Sequence, residues 1–334
     1  IMGSLGSLFI LLGIALLYSY TSTLNMADMG AILLEKKSTH LILMITVLFI
    51  MGFGLKSALV PFHAWLPDAH PSAPAPISAM LSGVLIKSLG IYTLCRIFYN
   101  VIGITPALSS LLMFLGALSM VIGVFLAIGQ WDFKRLLAYH SISQIGYVVL
   151  GIGLGTPLGI IGGLFHLLNH SLFKSLLFLN SGAVEYATGT RDLQQMGGLS
   201  KRMPVTAGTS FIASMSIAGI PPFNGFWSKL IIIIAAVQAG RFGYAFWAVL
   251  ASILTLASFM KVMKYAFFGS LRETFQQIKE VPIYMKISMA ILAGICILGG
   301  LLLLPGIYEA FLIPAADTLA EGTQYASFIL DGLR

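Results

Sequence analysis

Gly52-Phe53-Gly54-Leu55-Lys56 opens a stretch that continues through Pro61-Phe62-His63-Ala64-Trp65-Leu66-Pro67-Asp68-Ala69-His70 to Pro76. It has an echo in Gly219-Ile220-Pro221-Pro222-Phe223-Asn224-Gly225-Phe226-Trp227-Ser228-Lys229, so Gly-Phe-x-x-Lys occurs twice, each time inside a long apolar segment. Proline lacks a backbone donor and clashes with the preceding turn, so both segments predict a helix that breaks beside a lysine. In lipid, irregular backbone persists only where protein or a water-filled cavity satisfies its freed polar groups. Two such breaks predict a polar path through a bilayer.

The rest of the chain fits that setting. Of its 334 residues, 58% are hydrophobic and 9% charged, with a mean hydropathy of +0.94. That leaves too few polar side chains to cover a soluble domain, and the class is an all-α polytopic membrane protein. The formal charge of +7 is scattered singly, with no basic run to hold a nucleic acid, so the partner implied by composition is the lipid bilayer. Cys95 and Cys296 fall in separate apolar segments and read as core residues. The chain opens Ile1-Met2-Gly3 inside an apolar run, without the charged region or cleavage site of a signal peptide, as expected of a piece of a longer protein.

Windows of about 20 apolar residues predict nine spans: 1–20, 40–60, 76–99, 106–129, 136–155, 158–186, 204–239, 244–268 and 284–304. The seventh reads as two half-helices around Pro221-Pro222. The second is expected to break at Gly52 to Gly54 and run on toward Pro61, leaving 61–75 as a short structured loop. Loops on the side of residue 1 carry Lys134, Arg135, Arg191, Lys201, Arg202, Arg272 and Lys279; the opposite loops and tail carry Lys36, Lys37, Arg96, Arg241 and Arg334. This excess predicts a cytoplasmic N-terminus. The tail, 305–334, is mildly amphipathic and is expected at the interface or docked on a neighbour. Lys56 is followed by Lys87 on the next span, and Lys229 by Lys261 and Lys264 on its next span, with 173 residues between the halves. Repeats with a broken helix in corresponding positions are a mark of transporter architecture.

All twelve carboxylates lie in loops, at span ends or in the tail, whereas Lys56, Lys87, Lys174, Lys229, Lys261 and Lys264 fall within or near apolar spans, with His140, His166 and His170. A charged lysine at a span centre costs about 2.5 to 3.5 kcal/mol on insertion scales, so six of them need a shared explanation. Burial disfavours the ammonium form, which lets a lysine gain and lose a proton near neutrality, as a proton relay requires. His166, His170 and Lys174, spaced i, i+4, i+8, form one stripe on a helix face, and histidine titrates closest to neutral pH. A zinc site would need a third ligand, and no carboxylate or cysteine offers one. The other reading of the histidines, hydrogen-bonded contact between helices, accounts less well for the lysines on neighbouring spans. His63, Asp68 and His70, among prolines, read first as a capped loop and second as part of proton uptake. Lys261 and Lys264 read equally as snorkelling side chains or relay members. Arg96 reads as an interfacial anchor. Glu185 reads as a solvated helix end and His140 as a neighbour of the cytoplasmic entrance.

These residues carry a resemblance. The run Val60 to His70, with Ala73-Pro74 and Lys87, resembles the antiporter-like subunits of respiratory complex I, membrane-bound hydrogenases and multisubunit cation/proton antiporters. So do Asp132-Phe133-Lys134-Arg135-Leu136-Leu137-Ala138-Tyr139-His140-Ser141, Ser143-Gln144-Ile145-Gly146-Tyr147, and Phe165-His166 through His170 to Phe173-Lys174. The resemblance implies fourteen helices in two inverted five-helix repeats, each with a broken helix. On that plan, 1–99 is a partial first repeat broken around 52–76, 106–268 is a second five-helix repeat broken around 219–225, and 284–334 is a final helix with a tail. Lys56 then matches the lysine of the first broken helix, Lys87 that of the next helix, His166, His170 and Lys174 the middle relay, and Lys229 the residue closing the axis. The family's glutamate that pairs with the first lysine has no counterpart here, and is expected on a preceding segment, on another polypeptide, or not at all.

The function this implies is a proton- or sodium-translocating subunit of a redox-driven respiratory or hydrogenase-type complex, assembled with other membrane subunits, related antiporter-like ones among them. The chain would bind no redox cofactor or metal of its own, having no cysteine cluster, haem pair or Rossmann fingerprint. Two other readings stand beside it: a subunit of a multisubunit sodium/proton antiporter, and a structural membrane subunit without its own pumping.

Overall fold

The computed structural model describes residues 1–35 and 39–324, apart from the side chains of residues 39, 87 and 88. Among the described residues the chain is helical throughout, without strands. In order the helices are α1 (Met2–Thr21), α2 (Met26–Glu35), α3 (Thr39–Ser57), α4 (Leu66–Ser72), α5 (Ala75–Val101), α6 (Pro106–Ile128) and α7 (Phe133–Gly153). There follow α8 (Pro157–Thr188), α9 (Pro204–Ala218), α10 (Asn224–Gln238), α11 (Phe242–Phe267), α12 (Ile283–Leu303) and α13 (Ile307–Ala320). Seven of these, α1, α3, α5, α6, α7, α11 and α12, are long and apolar enough to cross a membrane. Helix α8, at 32 residues, is roughly 48 Å long and carries the polar stripe along its length.

Local sequence sets the helix starts. Thr105 and Thr156 each accept a hydrogen bond from the backbone N–H three residues on, and each is followed by proline at the first helical position. Asp132 caps α7 in the same way. For α9 the acid comes from elsewhere in the chain: Glu280 accepts from Val205 N at 2.9 Å and from Thr206 Oγ1 at 2.7 Å, placing a carboxylate at a helix N-terminus.

Helix α8 is the hub of the bundle, packing against α5, α7, α9, α10, α12 and α13. Helices α6 and α7 form the closest pair. Gly116 of α6 meets Gly146 of α7, Gly123 meets Ser143 and Gly153 meets Met113, so tightly that a Cβ on Gly146 would lie 2.4 Å from Met120 N. Helix α7 is almost wholly buried, while α1 packs on α3 and turns Leu8 and Leu11 outward, as a lipid-facing helix does.

Two expectations are corrected. Helix α3 runs unbroken through Gly52 to Gly54, ending at Ser57. Gly52 marks a helix crossing, because a Cβ there would lie 2.6 Å from Ile10 Cγ1 of α1. The break begins at Ala58, whose φ is +56°, and Pro61 prevents the helix from resuming at once. The segment 61–75, expected to be a loop, contains α4, with Leu66, Pro67 and His70 buried. The second break falls where the prolines put it, between Ala218 and Asn224. Of the tail, α13 docks on its own bundle: Leu312, Ala316 and Leu319 join the core that holds Phe98 and Tyr99, and Asn100 Nδ2 donates to the carbonyls of Thr318 and Gly322. Lys36, Lys37 and Arg334 lie outside the described residues.

Candidate functional site

The stripe on α8 folds as its spacing predicts. His166, His170 and Lys174 are all fully buried, facing α7 and α10. His166 Nδ1 shares a 2.9 Å hydrogen bond with Ser228 Oγ of α10, and its Nε2 one of 3.2 Å with Gln144 Oε1 of α7. The His170 ring lies nearly parallel to that of His166, with centroids 6.4 Å apart, and 5.4 Å from Phe173. Lys174 Nζ donates to the carbonyl of Leu137 on α7 and sits 5.5 Å from the Phe178 ring.

The second break supplies the next lysine. Lys229, next in sequence to Ser228, is buried, and its Nζ donates to the Ile217 carbonyl at 2.7 Å. That carbonyl belongs to the last turn of α9, where orphan acceptors and the negative end of the helix dipole favour a cation. The ammonium also lies 4.6 Å from the Tyr147 ring, a cation–π contact from α7. Tyr147 is held in turn by its hydroxyl, bonded to Ala248 O and Ser252 Oγ of α11. Glycine is required twice here. Gly219 turns the chain at φ +80°, with Lys229 Cδ 3.0 Å from where its Cβ would be, and a Cβ on Gly225 would fall 1.8 Å from Ser216 O. Asn224, at the start of α10, is tied to the stripe helix: its Nδ2 donates to Asn169 Oδ1 at 3.1 Å, and Asn169 Nδ2 donates to Asn224 O at 3.0 Å.

His140 does not sit at an entrance. It is buried between α7 and α11, with Nε2 2.8 Å from Ser258 Oγ and its ring 4.7 Å from Phe259, within electrostatic reach of Lys174, Lys229 and Lys261. Lys261 binds the carbonyls of Ile128 and Gln130 at 2.6 Å each and lies 4.9 Å from the Trp131 ring, so it caps the end of α6. Lys264 is exposed, with its ammonium 5.5 Å from the Tyr265 ring, as snorkelling predicts. Lys56, half-buried at the end of α3, runs alongside Gly6 of α1. His63 is half-buried in the first break; Asp68 is exposed on α4, 3.2 Å from the Arg135 guanidinium. Among the described residues no hydrogen bond or ion pair joins Lys56, His63, Asp68 or Lys264 to the stripe. Lys87 lies on α5, and its side chain is outside the described residues. Glu185, read from sequence as solvated, is instead 2.7 Å from Lys134 Nζ, because α8 ends beside the start of α7. Arg96 stands in the last turns of α5.

Three members of the seam escape a search for charged residues: Gln144, Tyr147 and Ser228. The available signal was that α7 is the least apolar of the membrane-length helices and that Ser228 stands inside the repeated Gly-Phe-x-x-Lys. The buried Nε2 of Gln144 and Nδ1 of His140 have no hydrogen-bond partner among the described residues, which leaves each able to take a transient one.

Seven membrane-length helices, a break after α3 and a second between the half-helices α9 and α10, and a buried row of histidines and lysines define an integral membrane protein of the kind built around discontinuous helices. The sequence profile of the NADH:quinone oxidoreductase/Mrp antiporter transmembrane family matches residues 1–257, and the chain belongs to that family. It is similar to the D subunit of the Na(+)/H(+) antiporter of Alkalihalophilus pseudofirmus, 38% identical over 97% of this chain and 65% of that protein. It is also similar to the N subunit of the NADH-quinone oxidoreductase of Desulforudis audaxviator, 37% identical over 81% of this chain and 54% of that one. The fold matches a chain in the structure of the Mrp complex from Dietzia sp. DQ12-45-1b, with a TM-score of 0.88 at 30% identity, covering 98% of this chain and 68% of that chain. The chain thus spans about half to two-thirds of the length of these curated relatives.

Proposed function

We propose that this chain is the proton-translocating, antiporter-like membrane subunit of a redox-driven respiratory or hydrogenase-type complex, with sodium as the other candidate ion. The observation that carries the reading is the buried connection from the Lys229 ammonium at the second break, through neighbouring Ser228 to His166, and along α8 by His170 to Lys174. Each of the four titratable groups can hold a proton, as a relay requires. In this proposal Lys56 responds to a partner acid outside the chain, Lys87 links it to the stripe, and Lys229 closes the path. His140 is the group through which the lysines sense one another; Lys261, Lys264, His63 and Asp68 serve the ends.

The division into a partial first repeat (1–99), a second five-helix repeat (106–268) and a final helix with its tail (284–334) is part of the same proposal. So are a site in the cell membrane, a cytoplasmic N-terminus, supported by the excess of lysine and arginine in loops on that side, and assembly with other membrane subunits. Lys229→Ala in the assembled complex, reconstituted in vesicles with an internal pH dye, is expected to abolish proton translocation while subunit assembly persists. Undiminished translocation would exclude the role.

A second reading has a specific observation behind it: the D subunit of a sodium/proton antiporter and the Mrp complex are both among the similar proteins. Purification separates the two. Iron–sulfur or nickel–iron subunits copurifying with the chain support the redox complex; cation exchange without them supports the antiporter.

A further inference from the structure

At the Glu185 end of α8 an ion-pair cluster surrounds a cavity that the relay does not use. A short antiparallel pairing, Phe133 N to Arg191 O and Leu193 N to Trp131 O, both 3.0 Å, brings the start of α7 against the chain that follows α8. Arg191 thereby lies 3.2 Å from Asp132 and 3.7 Å from Glu185, and donates to the Pro71 carbonyl. Lys134, with its side chain only 3% exposed, is 2.7 Å from Glu185 Oε2 and donates to the Ala73 carbonyl at 3.2 Å. With Arg135 on Asp68, three cations hold α4 and the segment that joins it to α5. The cavity, about 450 Å³, is lined by Ala73, Lys134, Leu179, Gly182, Glu185 and Arg191 among others.

We propose that this cavity is the aqueous mouth of the relay and that the Lys134–Glu185 pair is its gate. The inference rests on the relay reading above and names how the ion reaches it. Three observations carry it. First, the cavity lining adjoins the seam: lining Leu179 is next in sequence to buried Phe178, whose ring lies 4.5 Å from that of His70, itself next to cavity-lining Pro71, and 5.5 Å from Lys174 Nζ. Second, both lysines meet on α7, to which Lys134 belongs and against which Lys174 of α8 packs. Lys174 bonds the carbonyl of Leu137, one turn along α7 from Lys134. Third, a buried ion pair contributes little net stability over an apolar pair of the same size, so a mostly buried lysine held by a carboxylate at the rim of a cavity asks for another role.

The step is a proton transfer. A hydronium in the cavity gives its proton to a Glu185 carboxylate oxygen and becomes water; the neutral acid releases Lys134, which keeps its bond to Ala73 O. The proton then passes by way of the His70 imidazole to Lys174, once the Lys174 ammonium has given its own proton to His170 of the stripe. Glu185 is again a carboxylate and pairs with Lys134, closing the mouth.

The test uses the assembled complex in vesicles, with buried Cys95 and Cys296 replaced by alanine. Leu179→Cys is expected to react with a charged, membrane-impermeant thiosulfonate added on the Glu185 side, and the attached ammonium to block proton uptake. Glu185→Gln is expected to slow proton uptake at least about tenfold, since a lost proton carrier costs two to four orders of magnitude in favourable cases, and Glu185→Asp to recover part of the rate. The double variant Lys134→Met with Glu185→Gln separates a gate from a structural pair. If the pair only supports the fold, removing both charges restores flux; if Glu185 carries the proton, flux stays low with assembly intact. An unreactive thiol in the Leu179→Cys variant, or normal flux in Glu185→Gln or in the double variant while Lys229→Ala is inactive, overturns the mouth and leaves the relay. Normal flux in Glu185→Gln and Lys229→Ala alike overturns both.

Discussion

Gly225→Ala disturbs the seam without touching a titratable group. The new methyl would stand 1.8 Å from the Ser216 carbonyl oxygen, and contacts of this kind do not fall below 3.0 Å. The obstacle is backbone, so no rotamer change relieves it; α9 and α10 must part by about 1.2 Å or the break must refold, at a cost of roughly 1 to 3 kcal/mol for overpacking. If the half-helices part as rigid bodies, the Lys229 to Ile217 hydrogen bond, now 2.7 Å, stretches to about 3.9 Å, beyond the range in which a hydrogen bond holds. Loss of a hydrogen bond to a charged group costs about 1.5 to 3 kcal/mol more. Gly225→Ala is therefore expected to lower thermal stability and to reduce proton flux as severely as removing the Lys229 side chain. Gly208→Ala is the control. It lies on exposed α9 surface with nothing within 4 Å of its Cβ position, and is expected to leave flux unchanged and gain roughly 0.5 to 1 kcal/mol of helix stability. Flux and melting temperature of Gly225→Ala equal to the parent would refute the argument that this glycine sets the geometry of Lys229.

Ser228→Ala removes the hydroxyl between His166 and the second broken helix; proton flux should fall several-fold while stability drops by no more than about 1 kcal/mol, and undiminished flux would disconnect the stripe from α10. In a double-mutant cycle, Asn169→Ala and Asn224→Ala should be coupled by about 1 kcal/mol in unfolding by SDS, since they share the 3.1 Å side-chain bond that ties α8 to α10; additivity would mean the contact contributes nothing. Asp68→Asn should change stability by less than about 1 kcal/mol, because its pair with Arg135 is mostly exposed, and a larger loss in the same unfolding assay would give that pair a role in holding α4.

Much of this was legible in the residues. Apolar windows located the spans because lipid demands long apolar runs, and Pro221-Pro222 located the second break because two consecutive prolines remove two backbone donors, whereas single Pro71 and Pro314 are accommodated within α4 and α13. Gly52 was misleading for a physical reason. Glycine serves equally where a chain bends and where two helices touch, and only the position of α1 shows that Gly52 does the second. The stripe on α8 followed from helical spacing, but its partners did not, since Gln144 and Ser228 are neutral and ordinary until they stand opposite His166. The pairing of Lys134 with Glu185 was hidden by the length of chain between them and by the antiparallel bridge at Asp132, which no local pattern announces.

The glycine-faced pair of α6 and α7 bears on how the chain enters the bilayer during synthesis. Helix α7 carries His140, Ser141, Ser143 and Gln144 and is the least apolar of the membrane-length helices, whereas α6 is the most apolar. An insertion machinery that weighs each segment as it emerges would hold α6 readily and α7 reluctantly. The turn between them is only four residues long, 129–132, so α7 arrives while α6 is still at hand. Close approach at the glycines lets the two settle as a hairpin in which Ser143 Oγ donates to Met120 O, before α8, the partner of Gln144, has been made.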